Sequence, residues 1–487
     1  MKQSEFRAAL NTAFLFIPMD LAKPEERSGS AREMSCEEFR RLLEESGQWL
    51  LADERENNRY IYRYITDKMN PEKKEECLYL RYHLSDEACR MRGWGPDGAV
   101  FHIQQEREIQ FSIRSVSLFT FRTEVNIAAV QITFAEDEPG YIAEGLYYLK
   151  KVQRAQLAGI GQDAGKSAGN DAETGVNEAP RAKAETADKA EKMVNSEPET
   201  LLEAIRGLFA PALQEKLRFF PYLNEGTERA NTMSLACEPE GGNWKKDLYF
   251  LKNGYRANGF SYREEMDTED ETLFTSDDYV WGITGENLAC LILKKTDHVK
   301  QRFAQRFQEE YLLTYIILLH RKFDLYKILT DFGIGEQNDL QTLKAYQKQL
   351  NSYQTDYAYE RITEVPQYHR LYKRIEEKME LAELFADVME PVSELSSLRM
   401  EKAEEDRGKQ ERKMEWVLAI LSILTVFSAL IDCVDYLGVV AGNWPIWFHI
   451  TWKEQTLPRI QLVFSIGIVL IAVWALVGIF WRKRQKH

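Results

Sequence analysis

Hydroxyl and carboxylate residues recur at helical spacing within an apolar segment of the C-terminal part of the chain. Ser422, Thr425, Ser428, Asp432 and Asp435 follow one another in steps of three, three, four and three. At about 100° per residue, a helix places them within one sector of roughly 140°, and the rest of its circumference is apolar. Carboxylate oxygens can concentrate hard cations, and hydroxyls can contact an ion that keeps part of its water.

This polar stripe has two interpretations if the helix lies in a membrane. A carboxylate at the centre of a bilayer costs about 2.5–3.5 kcal/mol, so the stripe is best placed against water or partner helices. A single hairpin cannot enclose a pore, and an aqueous stripe therefore requires several copies of the chain around an axis. Alternatively, the Ser and Thr hydroxyls bond back to their own helix and both Asp residues lie among the outer headgroups.

Two glutamates at the cytoplasmic end of the first apolar run also have two interpretations. The stripe projected back by a heptad reaches Glu415, and four residues earlier lies Glu411. In a ring of helices they would form acidic rings at an inner mouth. Otherwise they are ordinary solvated charges near a membrane surface.

The elements that must position these residues are two apolar runs, which predict a transmembrane hairpin. Trp416–Ile431 continues to about Val440, and Ile460–Trp481 carries no charge. A span needs about 20 mainly apolar residues. Lys and Arg are in excess outside the two runs, at 407, 409, 412 and 413 and at 482, 483, 484 and 486. This excess predicts a multi-pass protein of the cell (inner) membrane with both termini in the cytoplasm.

Composition restricts the remaining functions. A net charge of −14 argues against binding to nucleic acid. The six cysteines form no CxxC pair and the seven histidines are dispersed, so a zinc site is not expected. No nucleophile elbow, dinucleotide fingerprint or kinase motif set occurs, and we therefore expect neither an enzyme nor a bound cofactor.

A chain of 487 residues suggests two or three domains. The sequence predicts an α/β cytosolic domain, a long helical stalk and the C-terminal hairpin. The predicted segments are the first part of the α/β domain (1–154), a disordered low-complexity insert (155–198), the second part of that domain (199–295), a helical bundle with stalk (296–413) and the hairpin with a basic cytosolic tail (414–487).

Local patterns give the elements of the soluble part. Strands are predicted at Tyr60–Ile65, Cys77–Leu84, Leu248–Leu251 and Tyr279–Ile283. Glu264–Asp278 is an acidic run that is either a solvated loop or a regulatory cation site. Helices are predicted at Asp297–Phe332, Gln337–Thr363 and Gln367–Met389, after which Pro391 should kink or restart the helix.

In its order of parts the chain resembles the CorA-type divalent-cation transporters. The stretch RMEKAEEDRGKQERKMEWVLAILSILTVFSALIDCVDY (399–436) is similar to the stalk-to-pore helix of divergent bacterial members, and SLFTFRTEVNIAAVQITF (117–134) is similar to their cytosolic domain. The signature of this family is Gly-x-Asn at the outer end of the first span. Here Gly442 and Asn443 are adjacent, so the motif is broken by one residue.

The resemblance implies a homopentamer that transports divalent cations, magnesium above all. The first span would line the pore, with Ser422, Thr425 and Ser428 facing the ion, and the second would pack outside against lipid. Asp432 and Asp435 would concentrate cations near the outer mouth, and Gly442 with Asn443 would be the displaced remnant of the selectivity motif. The competing hypothesis is a non-conducting, membrane-anchored sensor or interaction protein on the same scaffold. The broken motif and the outer-loop tryptophans, at 444, 447 and 452, favour it.

Overall fold

The computed structural model describes residues 10–21, 34–52, 60–69, 77–103, 108–159, 199–220, 229–256, 259–266, 269–334 and 340–442. Its strands β1 to β12 are Thr12–Leu21, Trp49–Leu51, Tyr79–Leu84, Phe101–Ile103, Ile109–Phe121, Val125–Phe134, Ala158–Gly159, Leu217–Phe219, Asn231–Cys237, Thr272–Phe274, Tyr279–Ile283 and Asn287–Ile292. Its helices α1 to α12 are Cys36–Glu45, Arg63–Thr66, Asp86–Met91, Pro139–Leu149, Leu201–Arg206, Pro211–Gln214, Trp244–Asn253, Ala304–Arg306, Leu312–Ile334, Leu340–Ser352, Pro366–Lys378 and Leu381–Gly442. Short 3₁₀ turns occupy Asp67–Met69, Glu264–Met266 and Glu269–Glu271, and π-helical turns occupy Val299–Phe303, Phe307–Tyr311 and Tyr353–Tyr357.

The strands form one 12-stranded mixed sheet with the order β10-β11-β12-β9-β1-β6-β5-β3-β2. Neighbouring strands are antiparallel except for β12 and β9, which run parallel. Off this path, β4 pairs with β5 and β7, and β8 pairs with β1. The long central strand β1 is buried along its whole length, which explains its nearly continuous apolar sequence TAFLFIPMDL.

The sheet is covered by helices on both faces. Alternate side chains of a strand point to opposite faces, so Leu15 and Ile17 of β1 join one core while Phe14 and Phe16 join the other. The first core packs against α1 and α3 to α7. The second packs against α2, the residues from Val299 into α9, and α11. The N-terminal unit is therefore a mixed α/β domain, as the sequence predicted.

Several local predictions are confirmed and others are wrong. The strands at Cys77–Leu84 and Tyr279–Ile283 are present as β3 and β11. Residues 248–251, predicted as a strand, lie within α7, which begins after the N-cap Asn243 and ends at Gly254 in the left-handed conformation (φ 56°). Residues 60–65, also predicted as a strand, contain the start of the short helix α2 instead.

The helices after β12 follow the predicted order with different boundaries. α11 and α12 are separate helices because Glu380, between them, is left-handed (φ 52°), a conformation that is uncommon for a residue other than glycine. Helix α12 then continues through Pro391, so no restart occurs there.

The chain divides into two compact units, Met1–Ser393 and Glu394–His487. Within the first unit, the residues that flank segment 160–198 lie side by side. Gln156 and Thr200 form an antiparallel bridge, and the amide of Leu157 donates to the carbonyl of Glu199 at 3.0 Å. Of the insert predicted at 155–198, residues 155–159 are described and include Gln156 of this bridge and β7. Segment 160–198 lies outside the described residues, as does the second predicted span.

Candidate functional site

The site predicted from sequence lies on the C-terminal part of α12. Within the described residues, this is the one helix that is long and apolar enough to cross a membrane. An 18-residue window in its span Leu381–Leu430 has a mean hydropathy of 1.7, and none of that window is buried. Large apolar side chains such as Leu418, Leu424 and Val426 are more than half exposed on the single chain. Apolar surface of this extent requires lipid or protein to cover it.

The polar stripe and the less exposed residues lie on different sides of this helix. Ser422, Thr425, Ser428 and Asp432 are all exposed. The half-buried positions between 416 and 430 are Trp416, Ala419, Ile423, Phe427 and Leu430. At about 100° per residue, the centres of the two sets are roughly 170° apart around the helix. The described fold therefore leaves the polar stripe uncovered.

The hydroxyls of the stripe are not equivalent. The Thr425 hydroxyl donates to the carbonyl of Leu421 at 2.7 Å and also lies 3.1 Å from the carbonyl of Ser422. This back-bonding, which is common for Ser and Thr in helices, is the arrangement that the alternative interpretation requires. Ser422 and Ser428 are exposed, with no hydrogen bond from either hydroxyl described. The stripe thus combines one hydroxyl that is bonded to its own helix with two at its surface.

The acidic members of the prediction are only partly described. Asp432 is exposed near the C-terminal end of the apolar segment, and Glu415 is exposed at its N-terminal end. Asp435 and Gly442 have helical backbone, but their side-chain environments lie outside the described residues. Asn443 lies outside them altogether. The structure consequently places the described members on one helix.

The acidic run of the α/β domain makes ion pairs with neighbouring elements. Glu264 pairs with Lys245, and Glu271 lies 2.8 Å from the ammonium of Lys252, whose side chain is fully buried. Asp270 lies 3.9 Å from the guanidinium of Arg374 on α11. Among the residues that the structure describes, no group of three or more His, Cys, Asp or Glu side chains could hold a metal ion. Intramolecular pairing therefore accounts for these three carboxylates.

Sequence reasoning missed a buried polar group on α9. His320, Arg321, Asp324 and Lys327 are all buried in a helix that was read only as an apolar core element. Its signal was present, since five His, Arg, Lys and Asp residues in HRKFDLYK interrupt a helix whose apolar residues cover all sides. Charged residues are rarely buried without partners, so such a sequence predicts an internal network.

Within that group of buried residues, Arg321 keeps its charge through several partners, whereas His320 is neutral. The Arg321 guanidinium donates to Glu376 at 2.6 Å, Tyr372 at 3.0 Å and Tyr353 at 3.3 Å. Burial opposes its charge, but these hydroxyls and the carboxylate keep its pKa above the ordinary value. Burial, with Arg321 and Lys327 nearby, holds the pKa of His320 well below its usual range, so the ring is neutral.

Comparisons with known proteins add little to this geometry. No protein-family model matches the chain, and no curated protein matches it in sequence. A solved structure of the CorA magnesium transporter from Methanocaldococcus jannaschii aligns with 12% identity over 53% of this chain and 93% of that chain, with a TM-score of 0.15. A likeness of this size carries no argument about fold or function.

Proposed function

We propose that the chain is a CorA-like membrane channel or transporter for divalent cations, magnesium above all. Copies of the chain would assemble with the first transmembrane helix, α12, around a central pore. The observation that carries the proposal is the exposed stripe of Ser422, Thr425, Ser428 and Asp432 on an otherwise apolar helix of membrane-spanning composition. Polar groups at this depth are costly against lipid, and the described fold supplies no cover for them. Facing a shared aqueous path removes that cost.

The residues would have different roles along the path. Asp432 and Asp435 would concentrate cations at the outer mouth, and Glu415 would do so at the inner one. Ser422 and Ser428 would contact a hydrated ion, because magnesium gives up its waters reluctantly. The homopentamer, the role of Gly442 and Asn443, both cytoplasmic termini and the location in the inner membrane all follow from the resemblance and the charge pattern. No catalytic step, bound cofactor or nucleic-acid partner belongs to this proposal.

The decisive experiment measures Mg²⁺ flux into liposomes that contain the full chain. The double substitution Asp432→Asn with Asp435→Asn should reduce flux about tenfold or more at low salt, because it removes the acidic outer mouth. The reduction should shrink as salt screens the charges. Asp387→Asn, which removes an exposed carboxyl of α12 outside the apolar segment, is the matched control and should leave flux nearly unchanged. Unchanged flux in the double variant would eliminate the acidic mouth.

A second candidate is a non-conducting, membrane-anchored sensor or interaction protein. The back-bonded Thr425 hydroxyl favours it, because that group is occupied without any ion. Absence of flux in the parent chain, together with a monomeric mass in detergent, would select this candidate. A mass of five copies together with flux would select the channel.

A further inference from the structure

The buried carboxyl of Asp324 lies where α9 meets α10 and the π-helical turn Tyr353–Tyr357. It is 0% exposed, and its Oδ1 atom accepts a hydrogen bond from the amide of Gln349 at 3.1 Å. Its Oδ2 atom is buried and has no hydrogen-bond partner among the described residues. A buried carboxylate with a single neutral donor is poorly stabilised, whereas a protonated carboxyl carries no charge to solvate.

The charged and titratable groups around Asp324 do not neutralise it. Lys327, one turn along α9, directs its ammonium to the carbonyl of Thr123 at 2.9 Å and to the carboxylate of Glu124 at 2.8 Å. Arg321, almost one turn earlier, is engaged by Glu376. These groups leave Asp324 without a salt bridge within the described part of the chain.

From the π-helical turn, Tyr353 and Tyr357 face the same region, and both are phenols that burial keeps neutral by raising their pKa. The Tyr357 hydroxyl donates to the carbonyl of Leu78 at 3.2 Å rather than to the carboxyl. His320, one turn before Asp324, is neutral. Burial consequently raises the pKa of Asp324 to about 7, against a small opposing effect of Gln349 and Lys327.

The segment that Asp324 contacts also supports the first turns of α12. Tyr346, Leu350 and Tyr353 share one apolar cluster with Leu325 and Ile328 of α9 and with Val388 and Val392 of α12. The ring of Tyr353 stacks on Phe385 with centroids 5.4 Å apart. Residues 340–357 therefore form a layer between α9 and the base of the long helix, all within the unit that ends at Ser393.

We propose that Asp324 is a proton-dependent latch that holds residues 340–357 between α9 and the base of α12. In the closed state the carboxyl is neutral and the layer stays packed. When the segment opens, water reaches the carboxyl and its proton is released. A rise in pH towards neutrality therefore favours the open state. The latch rests on contacts of the soluble unit, so it is independent of whether the protein conducts ions.

The sign of the pH effect follows from linkage. Asp324 has a higher pKa in the closed state than when exposed, so the closed state binds the proton more tightly. Closure is most stable at acidic pH, weakens as the pH rises from about 4 to about 7, and is constant above that. Within this window the opening equilibrium grows by up to about tenfold per pH unit.

The test is hydrogen exchange of the full chain in detergent between pH 5 and pH 8, corrected for the intrinsic rate at each pH. In the parent chain, protection of peptides from 340–357 should fall towards neutral pH and then level off. Asp324→Asn should make that protection independent of pH. Asp387→Asn, which removes an exposed carboxyl of α12, is the matched control and should keep the parent profile.

A second variant keeps the test decisive if Asp324→Asn does not fold. Gln349→Leu removes the donor that stabilises the ionised carboxyl, so the pH at which protection levels off should move upward. A purely structural role of Gln349 would lower protection equally at every pH. A flat profile in the parent, the parent profile in Asp324→Asn, or no movement of the plateau in Gln349→Leu would each overturn the latch.

Discussion

Replacing Arg321 by methionine tests the energetics of the buried network most directly. Arg321 is 5% exposed and its guanidinium donates to Glu376, Tyr372 and Tyr353. Hydrogen bonds to charged groups each contribute about 1.5–3 kcal/mol, and breaking a buried ion pair costs about 3–5 kcal/mol. Lys373 still contacts Glu376 at 2.7 Å after the change, so the remaining carboxylate keeps one partner. We therefore expect Arg321→Met to lower the free energy of unfolding by about 3 kcal/mol, the low end of the range for a buried pair.

The assay is urea unfolding of the full chain in detergent, combined with a double-mutant cycle. Arg321→Met and Glu376→Met should show a coupling energy of roughly 2 kcal/mol, as expected for two groups in contact of which one is buried and the other has a side chain only 20% exposed. The control cycle uses Arg374 and Glu377, whose charged atoms lie 3.1 Å apart but whose side chains are 28% and 63% exposed. That pair should couple by less than about 0.5 kcal/mol. Equal coupling in the two cycles would refute the argument that burial gives the Arg321 pair its strength.

The pH dependence of the same variant provides an independent check. Burial alone would raise the pKa of Glu376, but Lys373 and Arg321 bring it below its ordinary value. A carboxyl whose pKa is lower in the folded than in the unfolded state stabilises the fold at pH values above its unfolded-state pKa. This stabilisation is lost as the pH falls through the folded-state pKa. The difference between the parent chain and Arg321→Met should accordingly shrink below about pH 4. A difference that stays constant into strong acid would contradict the assignment.

Two further substitutions test other parts of the soluble unit. Gly145→Ala should lower the free energy of unfolding, measured in urea, by about 1–3 kcal/mol, because the added Cβ would lie 2.4 Å from a ring carbon of Phe134. The control is Gly140→Ala, whose added Cβ meets only a side-chain oxygen at 3.4 Å and should cost less. Gly47 has open space around it but is not a suitable control, because its φ is +66°. Burial and the neighbouring Asp247 raise the pKa of Glu238 to about 7. The parent chain should therefore lose stability as the pH rises from about 4.5 to about 7. Glu238→Gln should reduce this pH dependence of the free energy of unfolding. An unchanged slope, measured by unfolding at several pH values, would contradict that assignment.

The sequence predicted those strands and helices whose apolar pattern extends over their whole length. β11 is a continuous apolar strand, and the apolar periodicity of α9 marked a long core helix. The prediction failed at 248–251 because only the apolar run LYFL was weighed. The helix signals lay outside that run: Asn243 caps the first turn by accepting from the amide of Lys246, and Gly254 ends the helix.

Other features had no sequence signal of their own. The break between α11 and α12 occurs at a glutamate in the left-handed conformation, where glycine would be expected. The continuation of α12 through Pro391 shows that a helix can tolerate a proline that local rules would place at a boundary. For the candidate site, the spacing gave the stripe on α12, but the back-bonding of Thr425 is a property of the folded helix.

The bridge between Gln156 and Thr200 makes the α/β domain suitable for the insertion of a reporter protein. The bridge holds together the two backbone segments that flank segment 160–198. Because the free energy of closing a loop changes by only about 0.6 kcal/mol for each doubling of length, the sheet should accept a shorter connection or a whole fluorescent protein there. Such a fusion would allow the protein to be located in living cells without altering either terminus.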